Sequence, residues 1–174
     1  RIGGGMRYPF SGIEVSARAI MPGRMTSTGK TIFGTAATSG VAIRAFAPEV
    51  ARMPRAALIG AGVQGRSHVP VLGHVLPGVE LVVYDRDPAR STSRAALAAA
   101  TSGIASVSVA ASAREAVQGA DVVVTVASFV PPPERQVMTN DWLEPHALVV
   151  PVDYATYCAA EVARDADLFL VDHT

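Results

Sequence analysis

The sequence predicts a doubly wound α/β fold, a mostly parallel sheet with helices on both faces. Three observations carry this expectation. Short apolar segments with no polar face alternate with helical segments, as strands buried on both sides do. The first of them breaks into Gly60-Ala61-Gly62-Val63-Gln64-Gly65 just before a helix. The second ends in an acidic residue, Asp85, about 20 positions further on.

Residues 1–33 carry Arg1, Arg7, Arg18, Arg24 and Lys30 against Glu14 alone, with a glycine triplet at Gly3–Gly5. They show no sustained period, although Ile13–Ile20 could form a short strand. Thr35–Val50 is alanine-rich and helical in propensity, and Pro48 marks its end. Ala56–Ile59 is the first strand, and a helix runs from the glycine turn to about Leu76, weakened by Pro70. Pro77-Gly78 is a stop signal, after which Glu80–Tyr84 reads as a buried strand. Asp87 and Pro88 supply the N-cap and first position of a helix reaching about Ala100. Ser106–Ala110 is a third strand. Ser112 stands three residues before Glu115, the spacing of a capping box. Asp121–Ala127 is a fourth strand, followed by a loop with Pro131–Pro133 and one helical turn over Thr139–Leu143. Ala147–Val152 is a fifth strand ending at Asp153. A helix around Cys158–Arg164 and a sixth strand, Asp167–Val171, complete the pattern.

Composition narrows the function. The chain has 174 residues, 49% hydrophobic and 17% charged, which fits one ordered domain and excludes intrinsic disorder. Fifteen basic and fifteen acidic residues cancel, so no overall field recruits nucleic acid or an anionic membrane. A single cysteine, Cys158, excludes an internal disulfide framework and a multi-cysteine zinc site. No uncharged apolar run approaches the roughly 18 residues of a membrane span. A soluble cytoplasmic protein is expected.

The strongest local signal is Gly60-x-Gly62-x-x-Gly65 between strand and helix. Gly60 makes the tight turn, Gly62 lets a pyrophosphate approach the backbone, and Gly65 lets helix pack on strand. The helix start offers N–H groups and a positive dipole end to phosphates. Asp85 would accept the hydroxyls of an adenosine ribose and repel a 2′-phosphate, which favours NAD over NADP. Arg86 could instead pair with such a phosphate, or simply be solvated. Asp153 ends an apolar strand on the carboxyl edge of the sheet, where open α/β sheets bind ligands. It could exchange a proton with a substrate amine, or equally cap the helix after Tyr154. His68, His74, His146 and His173 lack metal spacing and read as capping or surface residues, and Cys158 as helical core.

The runs TAATSGVAIRAFAP, ALIGAGVQGRSH, VVYDRDPAR, SAREAVQGADVVVTVAS and DWLEPHALVVPVDYATY, in this order between Gly34 and Asp172, resemble the ornithine cyclodeaminase/mu-crystallin family. The resemblance implies an NAD(P)-binding Rossmann domain, residues 34–174, joined to a dimer-forming substrate domain of which residues 1–33 would be a remnant. It places Val63 and Gln64 at the pyrophosphate and Asp85 at the ribose. Val126, Ala127 and Ser128, with the strand holding Val150 and Val152, would flank the nicotinamide. Asp153 matches the aspartate that acts as general acid/base on the substrate amino group. The implied reaction converts an amino acid such as ornithine to a cyclic imino acid with loss of ammonia. Relatives reduce cyclic ketimines or act as amino-acid dehydrogenases, and some bind the dinucleotide without catalysis. NAD is the expected cofactor, a small amino or imino acid the expected partner, and a homodimer the expected full-length assembly.

The chain departs from the family pattern in three places. The residue before TAATS is usually an arginine that grips the substrate carboxylate, and here it is Gly34. About a hundred residues of substrate domain would precede this point, and the pattern continues past Thr174. A fragment or truncated relative is therefore expected. Lys30, the sole lysine, is no convincing counterpart of the family's catalytic lysine.

Overall fold

The computed structural model describes residues 27–153 and 156–170, with side chains from residue 34 onward. The possible strand at Ile13–Ile20, Tyr154 and His173 lie outside the described residues. Five parallel strands form one sheet in the order β3-β2-β1-β4-β5. They are β1 (Arg55–Ile59), β2 (Val79–Tyr84), β3 (Ile104–Val109), β4 (Val122–Thr125) and β5 (Leu148–Pro151).

Side-chain alternation along the strands builds two cores. Ala56, Leu58, Leu81, Val83, Val122 and Val124 face one side with Ile43, Val69, Leu72 and Ala98. Ala57, Ile59, Val82 and Val123 face the other with Ala113, Ala116, Val117 and Met138. The period of two divides each apolar run between both faces, which is why β1, β2 and β4 show no polar side, while the edge strand β3 exposes Ser106 and Ser108. The first layer holds α1 (Ser27–Phe46), α2 (Val63–Val75) and α3 (Pro88–Ala99); the second holds α4 (Ala113–Val117). After β1 the chain winds toward β2 and β3, and after β4 toward β5. β1 and β4 are neighbours, so their carboxyl ends flank the point where the winding reverses.

The local signals act as the sequence suggests. Asp87 caps α3 by accepting from the Ala89 N–H at 3.0 Å, with Pro88 at the first helical position. Ser112 accepts from the Glu115 N–H, and Glu115 accepts in return from the Ala111 N–H at 2.8 Å. Pro70 does not break α2, because it stands on the helix's exposed side.

Three expectations need correction. The helix preceding β1 opens at Ser27 rather than Thr35 and ends at Phe46, so it runs across the change in composition near residue 33. Residues 167–170, expected as a sixth strand, carry no strand, and Leu168, Phe169 and Leu170 are exposed. An apolar run becomes a strand only when a sheet edge accepts its backbone groups, and no strand neighbours them among the described residues. The helical turn expected over Thr139–Leu143 is present, as a 3-10 turn, Asn140–Trp142. Cys158 is not helical. It forms an isolated parallel bridge with Met138 ahead of α5 (Ala160–Arg164).

Among the described residues, no helix is long and apolar enough to cross a membrane.

Candidate functional site

The glycine turn leaves β1 with Gly60 at φ +107°, its N–H donating to the Tyr84 carbonyl at 2.8 Å. A Cβ there would lie 2.7–2.8 Å from the Val126 and Ala127 backbone, so the turn is pressed against the end of β4. Gly65 is just as constrained, since a Cβ would strike the Gly60 carbonyl. Gly62 is the opposite case, because a Cβ there meets nothing within 4 Å. Gly62 is also the N-cap of α2, and no side chain caps the helix. First-turn N–H groups thus face open space at the positive end of a helix dipole. Nearby, the side-chain oxygen of Gln64 is buried without a partner, while Val63 is exposed. These features fit a pyrophosphate: a cradle that a side chain would fill, beside backbone donors.

Asp85 ends β2 beside this cradle. Its carboxylate accepts from the Ala61 N–H at 2.7 Å and from the Asp87 N–H at 2.9 Å. It therefore braces the glycine loop, a task the spacing argument did not assign to it. Each oxygen keeps a lone pair for a further donor. Gly60, Asp85, Arg86, Ala127, Ser128 and Tyr157 line a common groove of about 390 Å³. Arg86 reaches Glu134 at 3.2 Å, with both side chains more than half exposed. Its guanidinium is thus paired with a carboxylate other than Asp85. Val126, Val150 and Val152 pack in the core on the α1–α2 side, beneath the groove rather than lining it.

Asp153 follows β5 and is 6% exposed. One carboxylate oxygen accepts from the Thr125 hydroxyl at 2.8 Å, the other from the Ala127 N–H at 3.1 Å. Burial is the strongest influence and pushes the carboxyl above the usual aspartate range. The Thr125, Ala127 and nearby backbone bonds oppose burial without overcoming it. A proton is therefore held more readily here than on a surface aspartate. The sequence reading missed Thr125, whose only signal is a hydroxyl ending an otherwise all-valine strand. It also missed Tyr157, which burial, with Tyr84, Asp153 and Asp85 nearby and Arg86 opposing, pushes up to about 12, so it remains a neutral phenol.

His68 corrects the reading of the histidines as capping or surface residues. It is fully buried between α1 and α2, with Nδ1 2.8 Å from the Gln64 carbonyl and Nε2 3.0 Å from Ser39 Oγ. Burial lowers its pKa despite the Gln64 bond, so the ring is neutral at neutral pH. The carbonyl can only accept, hence Nδ1 carries the proton and Nε2 accepts from Ser39. Among the described residues, no cluster of three His, Cys, Asp or Glu side chains could hold a metal ion.

A glycine turn at the reversal point of a parallel sheet, an uncapped helix start and a carboxylate ending β2 define a Rossmann domain of the dinucleotide-binding class. The chain belongs to the ornithine cyclodeaminase/mu-crystallin family, whose model matches residues 18–171. It is 34% identical over 122 residues to the nodulation efficiency protein NfeD of Rhizobium meliloti, covering 70% of this chain and 36% of NfeD. It superposes on the Thermococcus litoralis Δ1-pyrroline-2-carboxylate reductase, solved with NADH and L-proline. The TM-score is 0.65 at 26% identity, over 77% of this chain and 41% of the reductase. A lysine cyclodeaminase, studied for its recognition of L-lysine, L-ornithine and L-2,4-diaminobutyric acid, superposes with a TM-score of 0.56 at 34% identity. That match covers 68% of this chain and 33% of the cyclodeaminase. The chain thus spans about a third of the length of the curated relatives it matches.

Proposed function

We propose that this chain is the NAD-binding half of an amino-acid cyclodeaminase acting on a substrate such as ornithine, with Asp153 as its general acid/base. The observation that carries the reading is the placement of Asp153. Its carboxylate is tied through Ala127 to the wall of the groove that the glycine loop and Asp85 also form. A buried carboxyl of raised proton affinity at that edge suits proton exchange with an amino nitrogen. The likeness to a lysine cyclodeaminase and to a reductase solved with NADH supports it.

In this reading the N–H groups at Gly62, Val63 and Gln64 hold the pyrophosphate, and Asp85 with Arg86 nearby meets the adenosine ribose. Ala127 and Ser128, which line the groove, flank the nicotinamide. NAD bound there would supply hydride transfer. Thr125 and Ala127 orient the Asp153 carboxylate, which moves a proton to or from the substrate amine. Burial of that carboxylate keeps water from competing for it.

The test is ammonia release from L-ornithine with NAD by the complete protein, beside its Asp153→Asn variant. We expect proline and ammonia from the wild type, a loss of about 100-fold or more in the variant, and unchanged NADH affinity. Reduction of a cyclic ketimine without ammonia release would replace this reading with an imine reductase. NADH binding with neither activity would indicate a non-catalytic relative, the reading that Gly34 in the arginine position favours.

Cofactor choice follows from Asp85. A carboxylate accepting from ribose hydroxyls makes charge-assisted bonds of about 1.5–3 kcal/mol each. Facing a 2′-phosphate it is repelled. NADH should bind at least about tenfold, or 1.4 kcal/mol, more tightly than NADPH. Asp85→Ser should narrow or reverse that ratio and, by removing the brace on Ala61, weaken NADH. Calorimetric titration of both cofactors decides it, and equal or tighter NADPH binding by the wild type would overturn the NAD preference.

A further inference from the structure

We propose that Arg94, which no sequence pattern singled out, is a positioning residue of the glycine loop, fixing the Ala61 and Gly62 carbonyls so that the loop's amides present to a pyrophosphate. The inference rests on the dinucleotide reading of that loop. Arg94 lies on α3 between Ser91 and Ala98, the two buried residues of that helix. Spacings of three and four put it on the same stripe, where packing alone would select an apolar side chain. The guanidinium there is half-buried, and since burial removes part of its hydration it is stabilised by acceptors within reach.

The acceptors it finds belong to the loop. Nη2 donates to the Ala61 carbonyl at 2.7 Å and to the Gly62 carbonyl at 3.2 Å, and Nε donates to Ala61 at 3.2 Å. The N–H of the same Ala61 is held by Asp85. Ala61 is therefore gripped on both sides, its N–H by a carboxylate from the end of β2 and its C=O by a guanidinium from α3. A residue held at both backbone groups cannot turn its carbonyl toward the groove, where the oxygen would repel a phosphate. A glycine-rich loop otherwise has wide backbone freedom, so this grip supplies order before any ligand arrives. The fork geometry matters, because a lysine would bring the charge without the pair of in-plane donors reaching one carbonyl.

The test compares the wild type with Arg94→Leu and Arg94→Lys by NADH titration, melting temperature and residue-resolved amide exchange without ligand. In Arg94→Leu we expect NADH affinity to fall about tenfold or more. Exchange should quicken at Ala61–Gln64 while the amides of β1, β2 and β4 stay protected. Arg94→Lys should recover only part of the affinity. Affinity within about twofold of wild type in Arg94→Leu would overturn the proposal. So would a general rise in exchange with a lowered melting temperature, which marks a purely structural residue, or full recovery by lysine, which marks charge alone. If the wild type does not bind NADH, the dinucleotide reading fails. The exchange arm still judges the grip on the loop, and unchanged exchange at Ala61–Gln64 would overturn that too.

Discussion

Gly62→Val is expected to lower NADH affinity by at least about a hundredfold while leaving the fold as stable as before. The two halves of this result come from the same observation. A Cβ at Gly62 meets no atom within 4 Å, and its backbone, at φ −71° and ψ −156°, is extended and open to a branched residue. Folding therefore has no reason to object. The isopropyl group would stand in the space before the first turn of α2, where a pyrophosphate must come within hydrogen-bonding distance of the backbone. Gly65→Val is the instructive contrast, since its side chain collides with the Gly60 carbonyl inside the protein and should impair folding itself. Fluorescence titration with NADH, paired with urea unfolding, separates the cases. Wild-type affinity in Gly62→Val would remove the loop from the cofactor site.

Asp121→Ala should cost about 1–3 kcal/mol of stability, because it removes the one buried acceptor shared by the Arg55 N–H and the half-exposed Arg52 and His146 at the opposite end of the sheet. Asp121 is 1% exposed where the chain enters β4. It accepts both Nη groups of Arg52, at 2.9 and 2.8 Å, the Arg55 N–H at 2.8 Å and His146 Nε2 at 3.0 Å. It thereby ties the segment before β1 and the approach to β5 to the sheet. Burial is the largest influence on this carboxyl and would raise its pKa. The Arg55, His146 and Arg52 bonds together outweigh burial and hold it below the ordinary range. A carboxyl depressed in the folded state stabilises the fold fully above its unfolded pKa of about 3.9. That contribution is lost as pH falls through the native value. The difference in unfolding free energy between wild type and Asp121→Ala should therefore be largest at neutral pH and shrink on acidification. A difference below about 1 kcal/mol at pH 7 would show these bonds to be stabilising in appearance only.

Much of the fold was legible because the signals were local. The Asp87-Pro88 cap, the Ser112–Glu115 box and the glycine turn each depend on residues within a few positions of one another. β1, β2, β4 and β5 announced themselves as apolar runs. The candidate site was legible for the same reason where it is a turn: Gly60 needs its positive φ, Gly65 its close approach to the Gly60 carbonyl five positions back, and Asp85 and Asp153 stand where strands end. The misreadings share a different cause. Leu168–Leu170 has the composition of a strand, but pairing needs an edge that composition does not supply. Cys158 sits among helix formers, yet Met138, twenty positions away, recruits its backbone into a bridge.

By itself, the sequence determined the class of this protein: a parallel doubly wound sheet with a glycine loop suited to a dinucleotide, and two strand-end carboxylates on one edge. The tertiary structure decided how those groups are held. It placed Thr125 and Ala127 on the Asp153 carboxylate, pressed Tyr157 into the groove, and sealed His68 between Ser39 and Gln64. It gathered Arg52, Arg55 and His146 on Asp121, and Asp85 and Arg94 on the two sides of Ala61. The physical reason is separation along the chain. A cap or a turn is written within one stretch of residues. A buried polar group takes whatever partner packing brings to it, and these partners lie up to 69 residues away.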